Sequence, residues 1–259
     1  MKIIYFLVVL SIAFTGCSSK NPNQPDNIIY DELTQEDDEL FDEFEEEVET
    51  EEVYDPLKAY NRAMTAFNDD LFIYVLTPVS EGYNAIVHYE IRKSVSNFFK
   101  NLYYPPRVVN NLLQGKFKNS SEETGRFVIN TTIGVLGLFD PAKKYFELET
   151  HNEDFGQTLG FYGVGSGPHI VLPLWGPSNL RDITGIYADS YLSSIDYTPR
   201  EWFTLTDNWG GYLGVKAYEK TNEFSLSLEA YAKLKEDAID LYPYLRDIYE
   251  QYRDKQIKE

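Results

Sequence analysis

Few side chains in this 259-residue chain are able to do chemistry: one cysteine, three histidines and a serine set among glycines. Gly163-Val164-Gly165-Ser166-Gly167 offers a hydroxyl nucleophile. Its serine falls one place too late for G-x-S-x-G, however, and no strand pattern precedes it to form a nucleophile elbow. The same run lacks the Gly-Lys-Ser/Thr ending that cradles a phosphate. His88 falls on an amphipathic helical stripe, His151 in a polar turn and His169 in a glycine-rich loop, none with a partner at metal-ligand spacing. A single cysteine excludes a disulfide framework and a multi-cysteine zinc site. No catalytic residue, metal site or cofactor motif is therefore assigned.

Cys17 has a different setting. Met1-Lys2 and twelve uncharged, mostly apolar residues, Ile3 to Phe14, lead into Thr15-Gly16-Cys17. The stretch is too short to span a bilayer and has the layout of an export signal. It resembles a bacterial lipobox, which implies a signal peptide over residues 1–16 and an acylated Cys17 as first mature residue. Acyl chains contribute roughly 0.8 kcal/mol per buried methylene, so two or three tether a protein stably. Ser18 resembles the signal that sends lipoproteins to the outer membrane of Gram-negative cells, the polypeptide facing the periplasm.

Charge divides the rest of the chain. Sixteen acidic residues and no basic one lie between Asp26 and Asp55, whereas residues 56–259 carry only −5 of a net −19. Such a balance makes a nucleic-acid surface a poor assignment. Residues 17–54 read as the acylated cysteine and a disordered acidic tether, roughly 30–35 Å from end to end as a flexible coil. Leu40, Phe41, Phe44 and Val48 also have the spacing of a short docking helix.

From Asp55 the pattern turns helical, and the expected fold is all-α. Asp55-Pro56 suits an N-cap and first turn, and Leu57, Tyr60, Met64, Phe67 and Leu71 repeat at three and four, ending at Thr77-Pro78. A second stripe runs from Val79 to Leu102, stopped by Tyr103-Tyr104-Pro105-Pro106. Gly115 suits a C-cap, and Ser120 with Glu123 a capping box. Helix returns over Val215 to Leu234 and Leu245 to Tyr252. The helical domain is expected to span residues 55–253, with 254–259 as a tail.

Two stretches do not suit a plain bundle. Phe127 to Phe139 has no charge and is apolar on nearly every side, which fits either a buried core helix or a segment in one lipid leaflet turning at Gly134 and Gly137. Phe155 to Leu180 has no charged residue, six glycines and three prolines. That density forbids a continuous spanning helix, and irregular backbone at membrane depth survives only where protein or water covers it, so the stretch suggests the wall or gate of a cavity.

Ordered blocks across residues 54–253 resemble the MlaA/VacJ family of outer-membrane lipoproteins. They include Asp55-Pro56-Leu57 with Tyr60-Asn61-Arg62, Arg126-Phe127 with Asn130 to Gly134, Gly137 to Asp140, Glu153 to Gly160, and Gly163-Val164-Gly165 through Leu180-Arg181-Asp182. The resemblance implies a ring-like bundle of amphipathic helices lying in one leaflet, with a Gly-rich hairpin loop and a central channel. It implies a non-enzymatic conduit that takes misplaced phospholipid from the outer leaflet and passes it to a periplasmic, MlaC-like carrier, in association with an outer-membrane porin trimer. The alternative is a structural, porin-associated lipoprotein without transport. In the conduit that the resemblance implies, Gly163, Gly165 and Gly167 would hinge the hairpin, and Phe67 and Asn68 would border the channel, Phe67 being otherwise an ordinary core aromatic. Phe127, Val128, Ile129, Ile133, Val135, Leu136, Leu138 and Phe139 would meet lipid or porin. Arg62 and Arg181 would contact a lipid phosphate, or else cap and pair within the fold.

Overall fold

A computed structural model describes residues 55–193, 195 and 208–259. The expected signal peptide, Cys17 and the acidic tether lie outside the described residues. Over the described residues the chain is all-α: α1 (Lys58–Leu71), α2 (Thr77–Ile86), α3 (Tyr89–Leu102), α4 (Tyr104–Leu113), α5 (Phe117–Thr132), α6 (Pro141–Phe146), α7 (Phe155–Phe161), α8 (Leu180–Ser190), α9 (Trp209–Leu226), α10 (Leu228–Asp237) and α11 (Leu241–Lys258).

Helical periodicity holds along the chain, but several boundaries fall elsewhere than expected. Thr77-Pro78 ends nothing. A π-helical turn, Phe72–Leu76, joins α1 to α2 and shifts the hydrogen-bond ladder, so Pro78 falls in the first turn of a new register, where its missing N–H is tolerated. Thr77 supports the join by donating its amide and its hydroxyl to Phe72 O. Asp55 does not cap α1, whose N-cap is Leu57 without a side-chain bond. Its carboxylate instead accepts from Asn61 Nδ2 at 2.9 Å and from the Tyr242 hydroxyl. The stripe from Val79 to Leu102 divides at Val87, which is extended, and the His88 ring caps α3 by accepting from Glu90 N–H at 3.4 Å. Pro105 and Pro106 stop α3 and also open α4.

Gly115 adopts a left-handed conformation (φ 74°), with Lys116 N–H donating to Asn111 O at 2.9 Å and Gly115 N–H to Leu112 O at 3.0 Å. That Schellman-type turn feeds α5 directly, which therefore starts at Phe117. Ser120 and Glu123 accordingly sit inside the helix rather than at its cap. Glu123 is fully buried and accepts from Arg107 Nε and His151 N–H, each at 2.7 Å.

The distribution of polarity is inverted relative to a water-soluble bundle. Among the described residues, eight hydrophobic side chains are buried and twenty-six polar or charged ones are. The apolar core is one small cluster, Val95, Phe99, Ile195 and Val215, flanked by Phe98, Leu102, Tyr103 and Tyr218. Elsewhere the inward stripe of several helices is polar: Asn61, Thr65 and Asn68 on α1, Ser120, Glu123, Arg126 and Asn130 on α5, Glu219, Asn222 and Ser225 on α9. The apolar stripe of α1 faces out, with Leu57, Tyr60 and Phe67 exposed. No helix among the described residues is long and apolar enough to cross a membrane.

Candidate functional site

The glycine-rich stretch leaves α7 and returns to α8 as a hairpin. Ile170 N–H donates to Ser178 O at 2.9 Å, and Leu172 and Gly176 exchange backbone bonds of 2.8 and 2.9 Å. Pro168 O and Ser166 O accept from the amides of Leu180 and Arg181 at 3.2 and 3.1 Å, closing the root. Leu174 and Trp175 form an exposed apolar tip, Leu174 in the left-handed region at φ 71°. A non-glycine residue is strained there and persists only if its surroundings hold it.

Two asparagines on α1 supply that hold. Asn68 Oδ1 accepts from Leu174 N–H at 2.8 Å while its Nδ2 donates to Leu172 O at 3.0 Å. Two helical turns earlier, Asn61 Oδ1 accepts from Val171 N–H and its Nδ2 donates to His169 O, both at 2.9 Å. Seven residues bring both amides to one side of the helix, so each satisfies the backbone of the outgoing hairpin arm as a strand partner would.

The expected hinge glycines differ from one another. Gly163 (φ 86°) and Gly167 (φ 70°) occupy left-handed conformations, and a Cβ on Gly167 would lie 3.2 Å from Leu180 Cβ. Gly165 is outside the left-handed region and has open space around it. Ser166 Oγ rests 3.5 Å from Gly167 O.

Behind the hairpin lies a buried ionic cluster. Arg253 on α11 makes paired bonds to Asp154 (2.7 and 2.9 Å) and to Asp182 (2.9 and 2.9 Å), and Asp182 also accepts from Arg181 Nε at 3.0 Å and Tyr249 OH at 2.7 Å. Burial pushes the Asp182 carboxyl up, but the Arg253 and Arg181 hydrogen bonds and the Arg253 charge outweigh it and hold the group low. Burial pushes Arg253 down, and the opposing carboxylates Asp154 and Asp182 raise it beyond its ordinary value. Such pairing offsets much of the cost of burying the charges, and removing one partner would leave the others uncompensated. The cluster also needs small backbone: a Cβ on Gly156 would meet Asp182 Oδ1 at 2.5 Å, and one on Gly185 would meet Gly156 N at 2.4 Å.

Phe127 to Phe139 is not a buried core helix. After Thr132 the chain turns through Val135, Leu136 and Gly137, all at positive φ (54°, 59° and 88°). Val128, Ile133, Val135, Leu136 and Phe139 are each more than half exposed, while Phe127, Ile129 and Leu138 are half-buried. Polar groups fasten the elbow from within. Asn130 Nδ2 and Arg126 NH2 donate to Asp140 at 2.8 and 2.7 Å, and Asn101 Nδ2 donates to Thr131 Oγ1 at 3.0 Å. Phe67 is nearly half exposed, which removes the core-aromatic reading, whereas Asn68 is buried. Arg62 pairs with Asp240 at 2.6 Å in an exposed position, and Arg181 is buried against Asp182.

Asp154, His169, Asn179, Glu250 and Arg253 are brought to the hairpin root from positions up to 99 residues apart, a grouping that sequence spacing does not reveal. Asn61 was legible only as part of a motif block; the repeated Asn61, Thr65, Asn68 spacing was the signal available. Among the described residues, no group of three or more His, Cys, Asp or Glu is placed to hold a metal ion.

A family model described as MlaA lipoprotein matches residues 53–256. An intermembrane phospholipid transport system lipoprotein MlaA of Escherichia coli (strain K12) is 34% identical over 205 residues, 77% of each chain. Its counterpart in Haemophilus influenzae is 31% identical over 191 residues, 73% of this chain and 67% of that one. An uncharacterised protein of Rickettsia typhi is 34% identical over 207 residues, 80% and 79% of the two chains. A solved structure described as a "structural basis for maintenance of bacterial outer membrane lipid asymmetry" superposes with a TM-score of 0.63 at 32% identity, covering 78% of this chain and 98% of that one.

Proposed function

The chain belongs to the MlaA lipoprotein family, and from that premise we propose that it removes misplaced phospholipid from the outer leaflet of the outer membrane. The observation that carries this reading is the inverted polarity of the body: a hydrogen-bonded polar interior beneath a surface on which many large hydrophobic side chains are exposed. In water such a surface is costly. In lipid it is the favoured surface, and helices there associate through packing and polar contacts rather than through hydrophobic burial. A body too short in its helices to span would lie in the periplasmic leaflet, with Val128, Ile133, Val135, Leu136 and Phe139 among acyl chains, held also by acylated Cys17. The acidic tether of residues 18–54 would remain in the periplasm.

On this reading a polar passage through the body accommodates headgroups while tails stay in apolar surroundings, and the hairpin gates it, moving about Gly163, Gly165 and Gly167. Phe67 and the Leu174–Trp175 tip border the entrance, on the side where Asn68 holds the hairpin. Exposed Arg62 is the cation within reach of a phosphate; Arg181 would reach one only by leaving Asp182. A porin trimer beside the elbow and a soluble MlaC-like carrier in the periplasm complete the route. The free energy of restoring asymmetry comes from elsewhere, and no bond in the lipid is made or broken. Deleting the gene should sensitise cells to detergent with EDTA, and a Ser166→Ala chain should restore resistance fully. Failure of that variant to restore it would favour hydrolysis over transport.

A further inference from the structure

Both arms of the hairpin reach one carboxylate on the last helix. Glu250 Oε1 lies 2.8 Å from His169 Nδ1 on the outgoing arm, and Glu250 Oε2 accepts from Asn179 Nδ2 at 3.3 Å on the returning arm. His169 and Asn179 face each other as an antiparallel bridge, so the carboxylate spans one rung of the hairpin. His169 is 1% exposed, Asn179 is fully buried, and the Glu250 side chain is 14% exposed. A charge so withdrawn from water depends on the donors that face it.

Backbone bonds from Ile170 N–H to Ser178 O and from Leu180 N–H to Pro168 O flank the rung, and beyond them its side chains have few other partners. His169 Nε2 is buried without a hydrogen-bond partner, so the imidazole is oriented by Glu250 and by edge and tilted contacts with the rings of Tyr249 and Tyr242. Asn61 and Asn68 bind only the outgoing arm, between His169 and Leu174. The returning arm has Asn179, whose Oδ1 caps α8 by accepting from Asp182 N–H at 2.9 Å, and whose Nδ2 is left for Glu250. The helix bearing Glu250 is docked independently. Arg253 and Tyr249 hold it to Asp154 and Asp182, and Tyr242 holds it to Asp55. Loss of Glu250 therefore loosens the hairpin without undocking α11.

We propose that Glu250 is the positioning residue of the hairpin: by pinning both arms at the root it sets the orientation of the Leu174–Trp175 tip, and α11 thereby governs whether the hairpin is held or released. The consequence for transport rests on the reading of the hairpin as gate.

The test is amide hydrogen exchange on the full-length protein in phospholipid nanodiscs, with wild type compared with Glu250→Ala and His169→Phe. The second variant keeps an aromatic ring, slightly larger than imidazole, and removes the polar contact with Glu250, so it remains informative if the first folds poorly. Exchange across residues 170–176 should be roughly tenfold faster in both variants, the effect of losing about one charge-assisted hydrogen bond, with α7 and α8 unchanged. Glu250→Gln keeps one acceptor and should fall between. Unchanged exchange in the hairpin overturns the proposal, as does equal acceleration through α7, α8 and α11, which marks a general structural role. Outer-leaflet phospholipid in cells carrying the same variants separates the two readings. Faster hairpin exchange with altered lipid distribution supports both, whereas faster exchange with unchanged lipid distribution leaves Glu250 as the positioning residue and contradicts the gate.

Discussion

At the scale of single residues, the buried charges set opposite responses to pH. Burial raises the Asp189 carboxyl to about 6, with Asp154 adding to the rise, against hydrogen bonds from Phe155 N–H and Asn110 that lower it. A carboxyl raised in the fold favours the folded state below its unfolded value of 3.8 and loses that contribution as pH climbs to about 6. Asp182 is held low, so its contribution is present above 3.8 and disappears as pH falls through its folded value. Thermal unfolding of Asp189→Asn in detergent should therefore gain on wild type as pH rises from about 4 to about 7, whatever the offset from the altered hydrogen bonds. A constant or shrinking difference contradicts the assignment. The glycines proposed as hinges separate in the same assay. Gly163→Ala, which forces a Cβ into φ 86°, should cost about 1 kcal/mol, and Gly165→Ala, in open space, less than about 0.5 kcal/mol. Equal costs would show that the two backbones are alike. None of this was legible from residue types alone. Gly163 and Gly165 look equivalent in the sequence, and the pairing of Arg253 with Asp154 depends on contacts 99 residues apart.

At the scale of elements, periodicity placed the helices well and their ends less well. Apolar residues at three and four marked α1 because 3.6 residues per turn is indifferent to which face turns inward. What that pattern could not show was direction: a stripe such as Leu57, Tyr60 and Phe67 reads as core in the sequence and is exposed in the structure. Ends failed where the chain used tertiary partners in place of local ones. Asp55 turned to Tyr242, and Glu123 to Arg107 and His151. The α7–α8 crossing offers a direct check of packing. Gly185→Ala would drive a Cβ to 2.4 Å from Gly156 N, where backbone must yield, and should destabilise the body by about 1–3 kcal/mol in denaturant unfolding. A neutral result would mean the helices are farther apart. The 133–139 elbow is the matching check of the exterior. Leu136→Asp is placed where the side chain is more than half exposed, so it should leave the fold intact in detergent while lowering partition of a non-acylated chain into anionic or zwitterionic vesicles by about tenfold. Unchanged partition would place the elbow away from lipid.

At the scale of the whole molecule, the proposed function gives one explanation to the features that resisted ordinary assignment. An uncharged elbow, a glycine-rich hairpin and amphipathic helices facing the unexpected way all suit a body whose surroundings are lipid and whose interior is polar. Charge at the N-terminal end, concentrated between Asp26 and Asp55, belongs to a different physical regime from the nearly balanced domain beyond it. The all-α class and family blocks were legible because they rest on local spacing. The inverted interior was not, because burial of Asn61, Asn110 or Asn222 is decided by partners far along the chain. Membership in the MlaA lipoprotein family gives these parts a common purpose. The most direct measurement is the phospholipid content of the outer leaflet, read by selective labelling of intact cells with and without this gene. Removal of the gene should bring phospholipid into that leaflet, and restoring the wild-type chain should clear it; an outer leaflet that stays free of phospholipid without the gene would contradict the transport account.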